Sequence, residues 1–291
     1  MSPKIAPLRG FSVPCPWEGS ARRKPWNYAI TAVIPCLDTA DTLRLCVELL
    51  RMQTERPYIV LIDTGSTDQQ LAEIQALRDE DVEVHSLRLH GVLHPSDFPA
   101  IAMDLGFSLC RTEYLFATHA DVFLRRRGFL ADLLDLCTAS NPVVGYQISP
   151  RAHPDWRGMV SHTATIYHIA TMDRLGFGWS QRRLCNIVGL DDYRPNPQRP
   201  NWPDTELLGN YLLRMAGIVP FLIGEERNFV RHVDENLDHC RSLTSARLYS
   251  PEYLKAATQW TRVAIHEAQE RIQRWRKSSG LSAPVSQEPA S

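Results

Sequence analysis

The alternation of short apolar runs with helical patterns, which begins at residue 28, restricts the fold of this chain more than any other feature. A β-rich run at 28–34 precedes a helical pattern over about 39–53, and a second β-rich run follows at 58–62. Apolar residues of the helical pattern recur at three- and four-residue steps, as on a helix with one buried face. Strand, helix and strand in this order predict a βαβ crossover, and therefore two parallel strands.

The same alternation continues to residue 223 and predicts an α/β fold. Further strands are predicted at 82–86, 114–118, 143–148, 159–168 and 218–223, and further helices at about 69–78, 96 or 98 to 110, 128–137 and 204–216. Only loops separate the strands 143–148 and 159–168, so we expect this pair to be antiparallel. The prediction is a mixed, mostly parallel sheet flanked by helices, in a domain over 27–235.

Other segments are predicted around and within this domain. Prolines spaced through 1–26 predict an extended arm, the Ser-, Pro- and Ala-rich residues 279–291 predict a disordered tail, and the aperiodic residues 177–203 predict a lid. The remaining segment, 236–278, is predicted to be a C-terminal helical extension. We expect its long helix, about 250–277, to dock on the main domain or to form a homodimer, with a peripheral membrane contact as the alternative.

The composition argues against several classes of protein. The formal net charge is -1 and charged residues make up 22%, which does not indicate a nucleic-acid-binding or membrane-surface protein. Seven cysteines without a CxxC pair predict free thiols in a reducing compartment. The first residues lack the apolar core of a signal peptide, and no run of about 18 apolar residues occurs, so we expect a soluble cytoplasmic protein.

Acidic residues follow three of the predicted strands. Asp38 follows the first strand, Asp63 the second and Asp121 the fourth. Ligands of open α/β sheets collect at the carboxyl ends of the strands, so these positions predict a ligand site. The string Asp63-Thr-Gly-Ser-Thr-Asp68 would by itself indicate a helix cap, because Ser, Thr and Asp are favoured there for structural reasons alone.

Four sequence blocks are together similar to a known family. They are Val33-Ile-Pro-Cys-Leu-Asp38, Ile59 to Asp68, Ala102 to Gly106, and Tyr114 to Asp121. In order and spacing they resemble glycosyltransferase family 2, which has the Rossmann-like GT-A fold, over about residues 28–223. The resemblance implies an inverting transferase that uses a nucleotide-sugar, a UDP-sugar more often than a GDP- or dTDP-sugar. The donor-binding residues that it implies are Pro35, Asp38, Asp63, Ser66, Asp104, His119 and Asp121.

The resemblance also implies a divalent metal, Mn²⁺ or Mg²⁺. His119-Ala120-Asp121 stands where the family has Asp-x-Asp, so a histidine replaces the first carboxylate. Histidine can ligate Mn²⁺. Either His119 and Asp121 both bind the metal, or His119 only hydrogen-bonds the donor. In family members a further histidine, later in the chain, often binds the metal. The resemblance implies that this residue is His232, with His239 as the competing candidate.

A general base is implied near the start of the helix predicted at 204–216. The local string Trp202-Pro-Asp-Thr-Glu206 favours Asp204, whereas counting back from Gly217 favours Glu206. A carboxylate there would deprotonate the acceptor hydroxyl, which then attacks the anomeric carbon in a single inverting displacement. The structural alternative is an acidic helix N-terminus that complements the helix dipole.

The resemblance leaves four classes of acceptor: a glycan, a lipid, a small metabolite or a modified DNA base. The basic runs Arg125 to Arg127 and Arg182-Arg183 would suit a phosphate backbone. A catalytically altered nucleotide-binding or assembly module is the alternative function, because His119 and Met103 depart from the family pattern. A nucleotidyltransferase would need a Gly-rich phosphate loop after the first strand, and Cys36-Leu-Asp-Thr39 is not one.

Overall fold

A computed structural model of the chain describes residues 27–89, 96–148, 157–180, 205–226, 232–243 and 251–280. The strands are β1 (Ile30–Cys36), β2 (Tyr58–Asp63), β3 (Val82–Ser86), β4 (Tyr114–Thr118), β5 (Val122–Leu124), β6 (Val143–Gln147), β7 (Ala164–His168), β8 (Phe221–Glu225), β9 (His232–Val233) and β10 (Leu237–His239). The helices are α1 (Ala40–Arg51), α2 (Asp68–Gln75), α3 (Asp97–Leu109), α4 (Phe129–Leu136), α5 (Ile169–Leu175), α6 (Leu207–Met215) and α7 (Pro251–Ser278). The predicted arm and nearly all of the predicted tail and lid lie outside the described residues.

Seven strands form the main sheet, in the order β3-β2-β1-β4-β7-β6-β8. The first four strands along the chain are parallel to one another. β7 is antiparallel to both β4 and β6, which confirms the predicted antiparallel pair, while β8 is parallel to β6. The chain winds outward from β1 to β3 and then returns to the other side of β1. The strand order therefore reverses between β1 and β4, where open α/β sheets bind their ligands.

β1 is buried on both faces, which explains its almost continuous apolar sequence. Ile30 and Ile34 belong to the cluster that contains the apolar face of α1, and Val33 belongs to the cluster on the opposite face, with Met103 of α3. Gly106 lets α3 approach the sheet closely, because a Cβ at this position would lie 2.2 Å from a Val33 methyl carbon. These contacts confirm the predicted α/β architecture.

A second, three-stranded sheet has the order β5-β10-β9 and was not predicted from the sequence. β10 is antiparallel to both of its neighbours. These strands contain two or three residues each, too few for a period-two pattern to stand out from a loop. This sheet matters for the site, because it joins the segment after β4 to a segment more than 100 residues later in the chain.

The C-terminal helix α7 docks on its own domain. Ala264, Ala268 and Ile272 are buried in the same apolar cluster as α1. The buried Arg271 donates hydrogen bonds to the carbonyl oxygen of Leu124 (3.1 Å) and to Oδ2 of Asp238 (3.0 Å). The helix is thus held to the second sheet by both packing and an ion pair, and docking on the main domain is the contact that we observe.

Replacing Arg271 with Met is expected to lower the free energy of unfolding by about 3 kcal/mol, because Asp238 would lose its buried partner. Asp238 is 1% exposed, and among the described residues its remaining ion pair would be with the half-buried Arg125, 3.1 Å away. Urea denaturation measures the change. Arg274→Met on the same helix is the matched control, since Arg274 is exposed and pairs only with the exposed Glu270. Equal destabilisation by both changes would contradict the prediction.

The basic run Arg125 to Arg127 contacts other parts of the protein. Arg125 pairs with Asp238, Arg126 donates to Asn236 Oδ1 (2.8 Å), and Arg127 donates to the carbonyl oxygen of Met52 (3.0 Å). The run therefore ties the end of α1 to the second sheet. The second basic run, Arg182-Arg183, lies outside the described residues.

Two expectations from composition can be compared with the structure. Cys36, Cys46, Cys110, Cys137 and Cys240 are buried free thiols, as predicted, while the other two cysteines lie outside the described residues. In the described part of the chain, no helix combines the length and the apolar character that crossing a membrane requires.

Candidate active site

A cleft of about 270 Å³ opens where β1 and β4 end. Pro35 and Cys36 line it from β1, and residues 119–121 line it from the loop after β4. Residues 161–163, which precede β7, form another part of the wall. Its polar lining residues are Thr39, Thr64, Ser96, His119, Asp121, Ser161, His162, Thr163, Thr205, Glu206, Glu226, His239 and Arg241. The cleft therefore lies at the point of the sheet where the strand order reverses, as the strand-end carboxylates predicted.

The second sheet holds Asp121 in this cleft. β10 continues its pairing with β5 past His239, so that the amide of Cys240 donates to the carbonyl oxygen of Asp121 (3.1 Å). The amide of Ser242 donates to Asp121 Oδ2 (3.1 Å), and Nε2 of His239 lies 3.5 Å from Asp121 Oδ1. The buried Asp121 carboxylate is thus oriented by residues about 120 positions later in the sequence.

Three imidazoles form a row beside Asp121. The ring centroid of His119 lies 5.1 Å from that of His239 and 4.3 Å from that of His162. Nδ1 of His162 lies 2.6 Å from Oε1 of Glu206. The row therefore runs without interruption from Asp121 through His239, His119 and His162 to Glu206.

The row combines ionised carboxylates with the neutral imidazoles of His119 and His239. Burial, and then the neighbouring His162, lowers the pKa of His119 well below its ordinary value. Burial, and then the Arg241 charge, lowers the pKa of His239. Although burial opposes it, the Arg241 charge and the hydrogen bond from the Ser242 amide hold the pKa of Asp121 below its ordinary range. The site therefore presents a carboxylate and two imidazole lone pairs near pH 7, the protonation states that metal ligation requires.

His119, Asp121 and His239 suit a divalent cation. Their ligand atoms all lie within 4.8 Å of one another. Nε2 of His119 is buried and has no hydrogen-bond partner among the described residues, which is unfavourable unless a ligand binds it. Two imidazoles and one carboxylate favour Mn²⁺ or a similar borderline ion over Mg²⁺, which prefers oxygen ligands.

Glu206 is the carboxylate at the other end of the row, at the N-terminal boundary of α6. Its side chain is 12% exposed, and it lines the cleft. Although burial opposes it, the His162 imidazole holds the pKa of Glu206 below its ordinary value. Glu206 is therefore ionised near pH 7 and can accept a proton. Asp204, the other predicted base, lies outside the described residues.

Asp63 is completely buried at the end of β2. Its carboxylate accepts hydrogen bonds from the amides of Gly65 (3.2 Å) and Ser66 (3.0 Å) and from the Ser86 hydroxyl (3.0 Å). Asp63 also lines a second cleft, of about 220 Å³, together with Gly65, Ser66, Asp68, Leu71, Ser86, Arg88 and Leu89. Thr64 lines the first cleft, so one loop separates the two.

Asp38 and Ser66 join the loops that follow β1 and β2. The Asp38 amide donates to Oγ of Ser66 (2.8 Å), and Asp38 Oδ1 accepts from the Thr67 amide (2.8 Å). Asp38 has a φ of 51°, in the left-handed region that Asp tolerates better than most residues. The structure thus gives both residues a role in loop geometry, and their contact with a donor stays a prediction.

The remaining predicted site residues lie in different places. Pro35 lines the first cleft, whereas the Asp104 carboxylate accepts a hydrogen bond from the Trp179 amide (2.7 Å), which ties α3 to the segment after α5. The backbone of His232 pairs with that of His239 across β9 and β10. The side chain of His232 lies outside the described part of the structure, and its role as a ligand stays a prediction.

Sequence reasoning did not identify His162, Glu226 or Arg241. None of them belongs to a sequence block that resembles the family, and each reaches the cleft through pairing between distant segments. For His239 the signal was the further histidine that family members often bring to the metal, and His232 shared that signal. Apolar periodicity could not separate the two histidines.

Comparison with solved structures finds proteins of similar fold. A mannosyltransferase from Pyrobaculum calidifontis, PcManGT, solved in complex with GDP-Man and Mn²⁺, has a similar structure: TM-score 0.50 and 13% identity over 90% of this chain and 80% of that chain. S. aureus TarS 1–349 in complex with UDP-GlcNAc matches with a TM-score of 0.46 and 11% identity, over 84% of this chain and 71% of that one.

The first of these structures supports the predicted GT-A fold. No curated protein has a sequence that matches this chain at a significant level. The family model "Glycosyl transferase family 2" matches residues 31–186, which is more than half of the chain. This chain therefore belongs to glycosyl transferase family 2, as the four sequence blocks predicted.

Proposed function

We propose that this protein transfers a sugar from a nucleotide-sugar to an acceptor hydroxyl with inversion at the anomeric carbon. The observation that carries the proposal is the row of side chains from Asp121 to Glu206 in one cleft. One end of this row suits the diphosphate of a donor and a divalent cation, and the other end carries an ionised base. A single displacement needs both ends, because the leaving group and the nucleophile lie on opposite sides of the anomeric carbon.

Glu206 is our proposed general base. Its carboxylate is ionised and lines the cleft, and His162 orients it through the 2.6 Å contact at Oε1. In this role it would accept the proton of the acceptor hydroxyl as the oxygen attacks the sugar. The two oxygens of the Glu206 carboxylate are not equivalent, because the contact with His162 holds Oε1 in place. His162 is thus a positioning residue that acts through Glu206.

His119, Asp121 and His239 would hold the cation at the donor end. A divalent ion bound there supplies positive charge that stabilises the leaving nucleoside diphosphate. Mn²⁺ is our proposed ion, on the basis of the two imidazoles. The P. calidifontis mannosyltransferase that shares this fold contains Mn²⁺ in its solved structure, which supports the choice.

The nucleoside of the donor would lie in the second cleft, beside Asp63. Thr64 lines the first cleft, and the adjacent Gly65 lines the second. A donor with its base in the second cleft would therefore place its diphosphate in the first. A UDP-sugar is our proposed donor from the family resemblance, and the GDP-Man complex of the P. calidifontis enzyme makes a GDP-sugar the alternative to be tested beside it. The acceptor can be a glycan, a lipid, a small metabolite or a modified DNA base.

Thermal unfolding tests the proposal without knowledge of the acceptor. UDP-, GDP- and dTDP-sugars are added one at a time, with and without Mn²⁺. A donor at about 100 times its Kd stabilises the folded state by about 2.7 kcal/mol, which raises Tm by about 5 °C in a chain of this size. We expect one nucleotide class to give this shift with Mn²⁺ and a much smaller shift with EDTA.

Free sugars and nucleoside monophosphates are the controls, because they lack the diphosphate that the cation would bind. If no nucleotide-sugar raises Tm in the presence of Mn²⁺, the proposed function is wrong. If donors bind but neither transfer nor donor hydrolysis occurs, the protein is instead a nucleotide-binding module of the same fold.

A further inference from the structure

Arg241 brings a permanent positive charge into a cleft that is otherwise acidic. Among the described residues that line the cleft it is the one Arg or Lys, whereas Asp121, Glu206 and Glu226 contribute carboxylates. A donor diphosphate carries two negative charges and would meet three carboxylates on entry. Binding such an anion requires cations in the wall of the cleft, in addition to any metal that arrives with it.

The Arg241 side chain is bound to a residue of the candidate metal site. Its Nη1 lies 2.8 Å from Nε2 of His239. A guanidinium can only donate hydrogen bonds, so this imidazole nitrogen must be the acceptor. The same nitrogen faces Oδ1 of Asp121 at 3.5 Å, and it is therefore also the atom that would bind a cation held by Asp121. A neutral imidazole nitrogen has one lone pair, so it cannot accept from Arg241 and ligate a metal at once.

The backbone around Arg241 is fixed from two sides. Thr261 of α7 is fully buried, and its hydroxyl accepts from the Arg241 amide and donates to the Arg241 carbonyl oxygen. The next residue, Ser242, donates its amide to Asp121 Oδ2 and its hydroxyl to Asp41 Oδ1. Any rearrangement at this position is therefore confined to the side chain of Arg241, which is long enough to exchange one partner for another.

We propose that Arg241 is a mobile cation of the donor site. Its guanidinium donates a hydrogen bond to His239 before ligands bind, and it moves onto the donor diphosphate when a divalent ion binds His239 instead. The inference rests on the proposed function and adds a residue to it. It predicts that Arg241 acts in opposite directions on two ligands. It competes with the metal for His239, and it attracts the diphosphate.

Isothermal titration of the full chain tests this. Mn²⁺ is titrated without nucleotide, and UDP and GDP are titrated into protein that is saturated with Mn²⁺, the state in which Arg241 would have left His239. In Arg241→Gln we expect Mn²⁺ to bind about tenfold more tightly, because its competitor and a like charge are gone, and the tighter-binding nucleotide to bind about tenfold more weakly. Arg241→Lys keeps the charge without the forked geometry, and both affinities should fall between those of Gln and the wild type.

Arg44→Gln is the matched control, because Arg44 is exposed on α1 and does not line the cleft. A higher Mn²⁺ affinity together with a lower nucleotide affinity supports the proposal, since misfolding would weaken the binding of both ligands. If Arg241→Gln leaves both affinities unchanged or weakens both, Arg241 has only a structural role. If the wild type binds Mn²⁺ and neither nucleotide, or no Mn²⁺ at all, the proposed function fails together with this inference.

Discussion

Replacing Asp121 by Asn is expected to lower kcat/KM for sugar transfer, or for donor hydrolysis, by about 10³-fold or more. The amide keeps the shape of the side chain and can still accept from the Ser242 amide, but it removes the one carboxylate of the His119, Asp121 and His239 group. Without that charge, two neutral imidazoles hold a divalent cation weakly. Initial rates over a range of Mn²⁺ concentrations, with Mn²⁺ titration of the free protein, measure the effect.

Asp135→Asn on α4 is the control, since it makes the same chemical change at an exposed position. It should leave the rate and the Mn²⁺ affinity unchanged. A variant Asp121→Asn that binds Mn²⁺ as the wild type does would show that this group is not the metal site. An unchanged kcat/KM in the same variant would also show that Asp121 is not part of the donor site.

Replacing Glu206 by Gln is expected to lower kcat by about 10²- to 10⁴-fold, the range that a positioned general base contributes. Gln has nearly the same size and cannot accept the proton of the acceptor. Donor affinity should change little, because Glu206 lies at the end of the row away from Asp121. Separate measurement of kcat and of donor Kd, the latter by titration, distinguishes a catalytic loss from a binding loss.

Two variants accompany this experiment. Glu225→Gln is the matched control at an exposed position near the end of β8, and it should retain the wild-type rate. Asp204→Asn tests the other predicted base. A large loss of kcat in Asp204→Asn, together with a small one in Glu206→Gln, would assign the base to Asp204 and leave Glu206 as a partner of His162.

The sequence predicted most strands of the main sheet, because those strands are apolar and buried. The strands predicted at 159–168 and 218–223 begin later in the structure, as β7 at Ala164 and β8 at Phe221. The run 58–62 became β2, and 82–86 and 114–118 became β3 and β4 with the predicted bounds. The predicted helix at 204–216 begins three residues late, at Leu207, since helix ends depend on local caps that periodicity does not report. Helix α5 was missed, and it lies between the strand predicted at 159–168 and the lid predicted at 177–203.

The residues alone predicted the part of the site that follows the strands of the parallel sheet, whereas Glu206 and His239 were each one of two candidates that the family resemblance implied. Asp63 and Asp121 lie at strand ends, and a strand end can be read from one stretch of sequence. His162, His239 and Arg241 come from segments about 40 to 120 residues after Asp121. His162 is positioned by the pairing of β7 with β4 and β6, and His239 and Arg241 by the pairing of the very short β10 with β5. A single sequence carries no signal for such pairings, because they are decided by the tertiary structure.

The second sheet also determines when the site can form during synthesis. A chain emerges from the ribosome with its N-terminal end first, so β1 to β4 are available for folding long before residue 239 has been made. His239 and the Ser242 amide reach Asp121 only after β10 has paired with β5, and Arg271 and Thr261 of α7 hold that pairing and its continuation in place. The strands of the main sheet are therefore synthesised before the cation site can be completed, and translation that stops before α7 should release a chain without that site.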